Sequence, residues 1–269
     1  MSAATLVVEL VTEELPPKAL KTLGEAFAET IRQQLAERRF LEAGSTSVGY
    51  ATPRRLAVAI TAVRAKAPDE EVTEKLLPVK VARDASGGVS QALAKKLAAM
   101  GRAHLATATL DAASGPDRVF TRSDGKADYV YLTSWVKGSS LQAGLESALA
   151  AAIDRLPIPK VMAYAGAHGY FNDVKFVRPA HRLLVLHGAD VLPVRALGLD
   201  AGRVTSGHRF LSRDDIGIAS ADAWAPTLEA EGKVMPSFAA RRAKIVAGLA
   251  AAAAGAPVLA PDALLDEVT

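Results

Sequence analysis

Residues 5–12 (TLVVELVT) form a short run rich in valine and leucine, followed by the breaker Glu13-Glu14-Leu15-Pro16-Pro17; this predicts a largely buried strand. Beyond the break, Leu20, Leu23, Phe27, Ile31 and Leu35 share one helical stripe. With prolines at the entry and acids just ahead of them, residues 17–39 are predicted to be an amphipathic helix. Residues 47–50 and 55–63 (RLAVAITAV) read as two strands around Thr52-Pro53. Residues 64–90, with Pro68, Pro78, Gly87 and Gly88 among mixed charges, read as a surface excursion. Ser90 is placed to cap a helix over 91–100 that Gly101 ends. Residues 118–121 and 129–136 read as a hairpin across Ser123-Asp124-Gly125-Lys126.

Leu141, Leu145, Leu149 and Ile153 predict a helix opened by Gly138-Ser139-Ser140 and stopped by Pro157 and Pro159. That break sets the expected division into an N-terminal α+β region, 1–158, and a second, basic α+β region, 159–269. In the latter, residues 164–170 read as a small, flexible, aromatic-tipped segment. Residues 174–177, 182–187 and 191–197 read as strands, Asp200-Ala201-Gly202 as a turn, and 220–231 and 237–253 as helices separated by Gly232. Strand pairs mixed with single helices predict an α+β fold, with mixed or antiparallel sheets and packed helices. The closing residues 264–269 (LLDEVT) read as the start of an element, so a chain truncated at its C-terminal end is expected.

Composition narrows the chemistry. A chain of 269 residues, half of them hydrophobic, can bury one large or two smaller cores. Without cysteine there are no disulfides, thiolate nucleophiles or cysteine-held zinc. No apolar run reaches spanning length and no leader pattern opens the chain, so a soluble cytoplasmic protein with no membrane association is expected. The net charge of +3 is small, but residues 160–213 carry eight Lys/Arg against three Asp, together with His168, His181, His187 and His208. Such a stretch is a candidate phosphate-facing surface, or else a solvated face. Phosphate-loop, dinucleotide-binding, nucleophile-elbow and His-Glu-x-x-His spacings are missing, and no third ligand accompanies His181 and His187. No catalytic residue and no metal site is therefore assigned. Trp135 and Trp224 read as core residues, and aromatics at 5% give no aromatic-rich groove.

Four clusters remain. Glu9, Thr12, Glu13 and Glu14 come first; Glu9 interrupts an apolar strand, and a buried carboxylate needs a partner, either a basic ligand or a structural ion pair. Arg54 and Arg55 follow the Thr52-Pro53 turn and can clamp phosphate or pair with Glu9 or Glu13. Lys175, Arg178, His181 and Arg182 gather around Pro179, either for recognition or as a strand edge held by its own ion pairs. In the loop 202–210, Arg203, Thr205, Ser206, His208 and Arg209 can meet phosphate or sugar oxygens, or simply join two elements. The RNA-binding candidates are Arg54, Arg55, Lys175, Arg178, His181, Arg182, Arg203, Thr205, His208 and Arg209.

Taken in order, LVVELVTEELPP (6–17), ATPRRLAV (51–58), Pro159-Lys160-Val161-Met162, KFVRPAHRLLVLHG (175–188), LGLDAGRVTSGHRF (197–210) and LDEVT (265–269) resemble the bacterial glycyl-tRNA synthetase beta subunit over nearly the whole chain. Met162-Ala163-Tyr164 stands where that family often has Met-Arg-Trp. The resemblance implies the N-terminal part of the beta subunit of an α2β2 glycine-tRNA ligase. Such a part would support ATP-dependent attachment of glycine to its tRNA by tRNA binding and subunit assembly. ATP and magnesium are expected at the alpha subunit, with no cofactor in this fragment; the implied partners are the alpha subunit and glycine tRNA. The region is similar either to modules that bind the tRNA body or to the B3/B4 module of the phenylalanyl enzyme. An editing-type hydrolase pocket and a structural scaffold docking the alpha subunit are the alternatives.

Overall fold

The computed structural model describes residues 3–107, 117–165 and 174–269. In chain order they form β1 (Ala4–Thr12), α1 (Pro17–Glu37), β2 (Ser47–Thr52), β3 (Arg55–Val63), β4 (Glu70–Pro78), α2 (Val79–Ala82), α3 (Gln91–Ala99), β5 (Arg118–Ser123), β6 (Asp128–Val136), α4 (Leu141–Arg155), β7 (Met162–Tyr164), β8 (Val174–Phe176), β9 (Ala180–His187), β10 (Asp190–Val191), β11 (Arg195–Ala196), β12 (Leu199–Gly202), β13 (Val204–Thr205), β14 (Ile216–Gly217), α5 (Trp224–Ala230), α6 (Phe238–Ala253) and α7 (Asp262–Val268). This is an α+β fold. It divides into two compact units, residues 1–67 with 139–269, and residues 68–138. The division expected at 158 falls inside the first unit, because β9, beyond it, pairs with β1.

In the discontinuous unit the main sheet runs β11-β12-β9-β1-β3-β2, with β10 on β9. β1 is central and antiparallel to both neighbours. Its hydrophobic run is unbroken because both faces are covered. Leu6, Val8 and Leu10 pack on the Leu20, Leu23, Phe27 and Ile31 stripe of α1 and on Leu145 and Leu149 of α4. On the other face Val7, Ala57, Leu184 and Leu186 meet Ile216, Ile218, Trp224 and Leu228. Ser140 caps α4, its hydroxyl accepting from Ala143 N at 3.3 Å. Gly144 admits the ring of Phe40, whose nearest atom lies 2.3 Å from where a β-carbon would stand. Ser237 caps α6, which buries none of its residues.

In the unit 68–138, β4, β6 and β5 form an antiparallel sheet in that order. Leu76, Val119, Val130 and Leu132 face a cover made by α2, α3 and a 3₁₀ turn at Ala103–Thr107, through Ala82, Leu93, Leu97 and Leu105. Ser90 caps α3 as expected, accepting from Leu93 N at 3.3 Å, and Gly101 follows the helix with φ +71°. At the β5–β6 hairpin the Asp124 carboxylate accepts from the amides of Lys126 and Ala127, both at 3.0 Å.

Four expectations change, the first being the strand expected over 191–197, which is split into β10 and β11 with residues 192–194 in neither. The surface excursion 64–90 contains β4 and α2. Asp200-Ala201-Gly202, expected as a turn, belongs to β12, which runs parallel to β9 through Ala201↔Leu183 and Gly202↔Leu184. The helix expected over 220–231 starts only at Trp224. Of the segment 164–170, only Tyr164 and Ala165 are among the described residues, and His168 lies outside them. No helix of the described residues is long and apolar enough to cross a membrane.

Candidate functional site

Because β1 runs antiparallel to β3 and β9, its C-terminal end lies beside the starts of both, in the register Val11↔Arg55 and Val11↔Arg182. Residues at paired positions share a sheet face, so Arg55, Val11 and Arg182 stand in one row and Ala57, Glu9 and Leu184 in the next. Members of all four clusters, distant in sequence, are thereby drawn to one end of this unit.

Beneath that end lies an ion pair. Glu9 is fully buried and Arg55 is 2% exposed, with Arg55 Nε 2.9 Å from Glu9 Oε1. The angle falls outside hydrogen-bond alignment, so charge attraction carries the contact. Burial pushes the Arg55 guanidinium down from its ordinary range, and the adjacent Glu9 carboxylate pulls it back up. Arg55 Nη2 donates to the carbonyl of Ser206, tying the 206–212 loop to β3. That loop is also pinned by His208 N donating to Gly232 O at 2.7 Å. The approach requires glycine at 207, where a β-carbon would lie 2.1 Å from Ser212 Oγ and 2.6 Å from the Gly232 backbone.

Above the pair, the Glu13 carboxylate gathers three partners: His181 Nε2 at 2.9 Å and the guanidiniums of Arg54, Nη2 at 3.3 Å, and Arg209, Nη2 at 3.4 Å. Desolvation raises the Glu13 carboxyl, but the His181 hydrogen bond and the Arg54 charge outweigh it and hold the group below its usual range. Glu14 adds contacts to Arg54 at 3.8 Å and Arg209 at 3.6 Å, while its carbonyl accepts from Arg178 Nε at 2.9 Å. Arg182 pairs with Asp215 at 2.7 Å.

These groups border a pocket of about 390 Å³ between Arg54, His208, Arg209, Phe210, Lys233 and Met235. A 180 Å³ cleft with His181, Arg182 and Ser206 shares Arg54, Arg55 and Arg209 with it. Phe210 at the rim is 83% exposed. Arg241, which lines the same pocket, donates to the carbonyls of Ala51 at 2.5 Å, Thr269 at 2.8 Å, Met235 at 2.9 Å and Pro236 at 3.0 Å. Burial, reinforced by the charge of Arg55, lowers its guanidinium to about 10; it remains protonated at neutral pH.

Arg54, Arg55, His181, Arg182, His208 and Arg209 thus come together, with Arg178 at the margin beside Glu14. Arg203 is elsewhere, donating to the carbonyls of Ala189, Ile218 and Ala219. Lys175 lines a separate depression with Ile153 and Arg195. Thr205 is fully buried, and its hydroxyl has no hydrogen-bond partner among the described residues. Arg241 and Lys233 were not among the sequence candidates. Arg241 sits in an alanine-rich helix, and its main contact is 190 residues away, so only the fold reveals it. Among the described residues no three His, Asp or Glu side chains gather to hold a metal ion. The arrangement can do one thing well: present guanidiniums in fixed positions, braced by carboxylates, beside an exposed ring. Oriented guanidiniums suit phosphate oxygens and a ring suits a base.

A family model described as glycyl-tRNA synthetase beta subunit matches residues 6–269. The chain is 47% identical over 265 residues to the glycine–tRNA ligase beta subunit of Ralstonia nicotianae, covering 98% of this chain and 37% of that one. With the Leptothrix cholodnii beta subunit it is 50% identical over 272 residues, covering all of this chain and 37% of the relative. With that of Aromatoleum aromaticum the figures are 47% over 270 residues, again 100% and 37%. The chain therefore spans little more than a third of the length of these relatives.

Proposed function

Given that the chain belongs to the glycyl-tRNA synthetase beta-subunit family, we propose that it is the N-terminal part of such a subunit and that the arginine-lined end of its main sheet contacts tRNA. In this reading it supports ATP-dependent attachment of glycine by an α2β2 enzyme in the cytoplasm, with ATP and magnesium used at the alpha subunit. The observation that carries the reading is that Arg54 and Arg209 line both the pocket bordered by exposed Phe210 and the cleft that holds Arg182. Their carboxylate partners hold the side chains in place, which lowers the entropy lost when phosphates bind.

The test is binding of glycine tRNA to the chain, with Arg182→Glu and Arg209→Glu compared with wild type and an unrelated tRNA as control. Each reversal is expected to weaken glycine-tRNA binding by roughly tenfold, about 1.4 kcal/mol. Unchanged affinity in both variants would overturn the assignment of this surface.

A role in subunit assembly has its own support. α6 buries none of its residues, and Val246, Leu259 and Leu264 are exposed nearby in sequence. Apolar surface of this kind suits a protein partner, and retention of the chain by the glycyl-tRNA synthetase alpha subunit would be the corresponding result.

A further inference from the structure

The unit 68–138 has a second surface of different chemistry. The antiparallel registers Lys75↔Tyr131↔Phe120, Thr73↔Thr133↔Arg118, Glu71↔Trp135 and Tyr129↔Arg122 place these residues on one face of the three-stranded sheet. The apolar residues between them, Leu76, Val119, Val130 and Leu132, point to the face covered by α2 and α3. The first face thus collects four aromatic rings and three cations within one small sheet, although aromatics are sparse in the chain as a whole.

The rings and cations are in direct contact. Lys75 Nζ lies 3.3 Å from the centroid of Tyr129, and the Arg122 guanidinium lies 4.6 Å from that of Tyr131. Phe120 stacks on Tyr131 with centroids 5.8 Å apart and planes 21° from parallel. Tyr131 is buried by these neighbours, which leaves Phe120 and Tyr129 partly exposed and Trp135 half exposed as outer surfaces. Glu71 pairs with Arg118 at 2.8 Å and Asp124 with Lys75 at 2.6 Å. Arg122, by contrast, has no carboxylate within ion-pair distance among the described residues, and its charge is available to an anion. An apolar protein partner would not call for cations laid over the rings. A strand of bases and phosphates would, because bases stack on aromatic faces while phosphates seek cations.

We propose that this sheet face binds unpaired nucleotides of a nucleic-acid strand, with bases stacked on Trp135 and Phe120 and phosphates met by Arg122 and Arg118. The inference does not rest on the reading of the arginine-lined pocket, which lies in the other unit and uses none of these residues.

The experiment titrates the whole chain with a mixed-sequence ribo-oligonucleotide of about a dozen nucleotides, a length within the range that such platforms cover, with its deoxy counterpart and with the annealed duplex. The chain has two tryptophans, and Trp224 is buried at 1% exposure, so fluorescence that responds to the strand reports Trp135. Quenching by a single strand, with much weaker binding of the duplex, is expected. Trp135→Ala and Phe120→Ala should each lower affinity by roughly tenfold, Trp135→Phe should retain most of it, and circular dichroism should stay unchanged. The ribo and deoxy arms show whether the strand is preferentially RNA. Absence of quenching, equal quenching by duplex and single strand, or unaltered affinity in both alanine variants would overturn the proposal. So would a shift in self-association in Trp135→Ala without any oligonucleotide binding, which would assign the face to a second copy of the chain.

Discussion

In the discontinuous unit, Arg54 and Arg209 reach Glu13 and Glu14, and Arg55 reaches Glu9, so each cation is oriented by an acid brought in from another strand or loop. In the unit 68–138, Lys75 and Arg122 lie over tyrosine rings supplied by the neighbouring strand. The first arrangement is a long-range charge lattice resting on a buried pair; the second is local and set by hairpin register. The difference matters for robustness. A buried ion pair collapses when one partner is removed, because the other is left uncompensated, whereas exposed pairs contribute little. The lattice should therefore be fragile and the aromatic face tolerant.

The sharpest way to break this comparison is to remove one charge from each. Glu9→Gln is expected to cost about 3–5 kcal/mol of stability, read from urea midpoints, while Glu71→Gln should cost less than about 1 kcal/mol. Replacing the buried pair together, Glu9→Leu with Arg55→Met, should recover much of the loss. Comparable small effects for the two single variants would show that the buried pair does not anchor the lattice.

Next in size is Gly207→Ala. Its β-carbon would collide with Ser212 and Gly232, and overpacking of this kind costs about 1–3 kcal/mol. The expected signature is a lower melting temperature together with weaker tRNA binding, and an unchanged melting temperature would contradict the packing argument. Ser90→Ala removes the α3 cap and should cost about 1 kcal/mol, visible as faster amide exchange in α3 with β1 unaffected.

The smallest effect concerns pH. Asp124 is lowered to about 2, chiefly by the hydrogen bond from Lys75 and then by the amides of Ala127 and Lys126. A carboxyl more acidic in the folded state than in the unfolded chain stabilises above the ordinary carboxylate pKa, near 4 for aspartate. That contribution is lost as pH falls through about 2. Carboxyl carbon titration by NMR should give Asp124 a midpoint near 2, and Glu13 one below the usual glutamate range; an ordinary midpoint for Asp124 would remove the Lys75 link from the account.

Much of the fold was legible because its signals are local. The buried run of β1, the α1 stripe and the cap at Ser90 each follow from a few neighbouring residues. β4 was missed because Glu70, Glu71, Glu74 and Lys75 face solvent, leaving few apolar positions, Val72 and Leu76 among them, to mark a strand. β12 was missed because Asp200-Ala201-Gly202 has turn composition and is held extended by β9. At the site, pairing of Arg54 or Arg55 with Glu9 or Glu13 was one of two readings, and the structure has both pairs. The basic stretch 160–213 reads from the sequence either as a phosphate-facing surface or as a solvated face, because composition does not show where the partners of its cations lie. Arg209 reaches Glu13 and Glu14, Arg182 reaches Asp215 and Arg213 reaches Glu231, all outside the stretch, while Arg195 pairs with Asp200 inside it. The aromatic face was invisible for a related reason: residues 71–75, 118–122 and 129–135 meet only through sheet register, so Trp135 read as core while it is half exposed.

The central claim is that the two surfaces engage nucleic acid by different forces, and one measurement tests it most directly: the salt dependence of glycine-tRNA affinity for wild type, Arg182→Glu with Arg209→Glu, and Trp135→Ala. Loss of phosphate contacts should flatten the plot of log affinity against log salt, by a slope of about one per contact. Loss of stacking should lower affinity at every salt concentration with the slope unchanged. The account predicts a flatter line for the double arginine variant and a parallel, lower line for Trp135→Ala. Identical slopes in all three proteins, or a flattened slope only in Trp135→Ala, would contradict it.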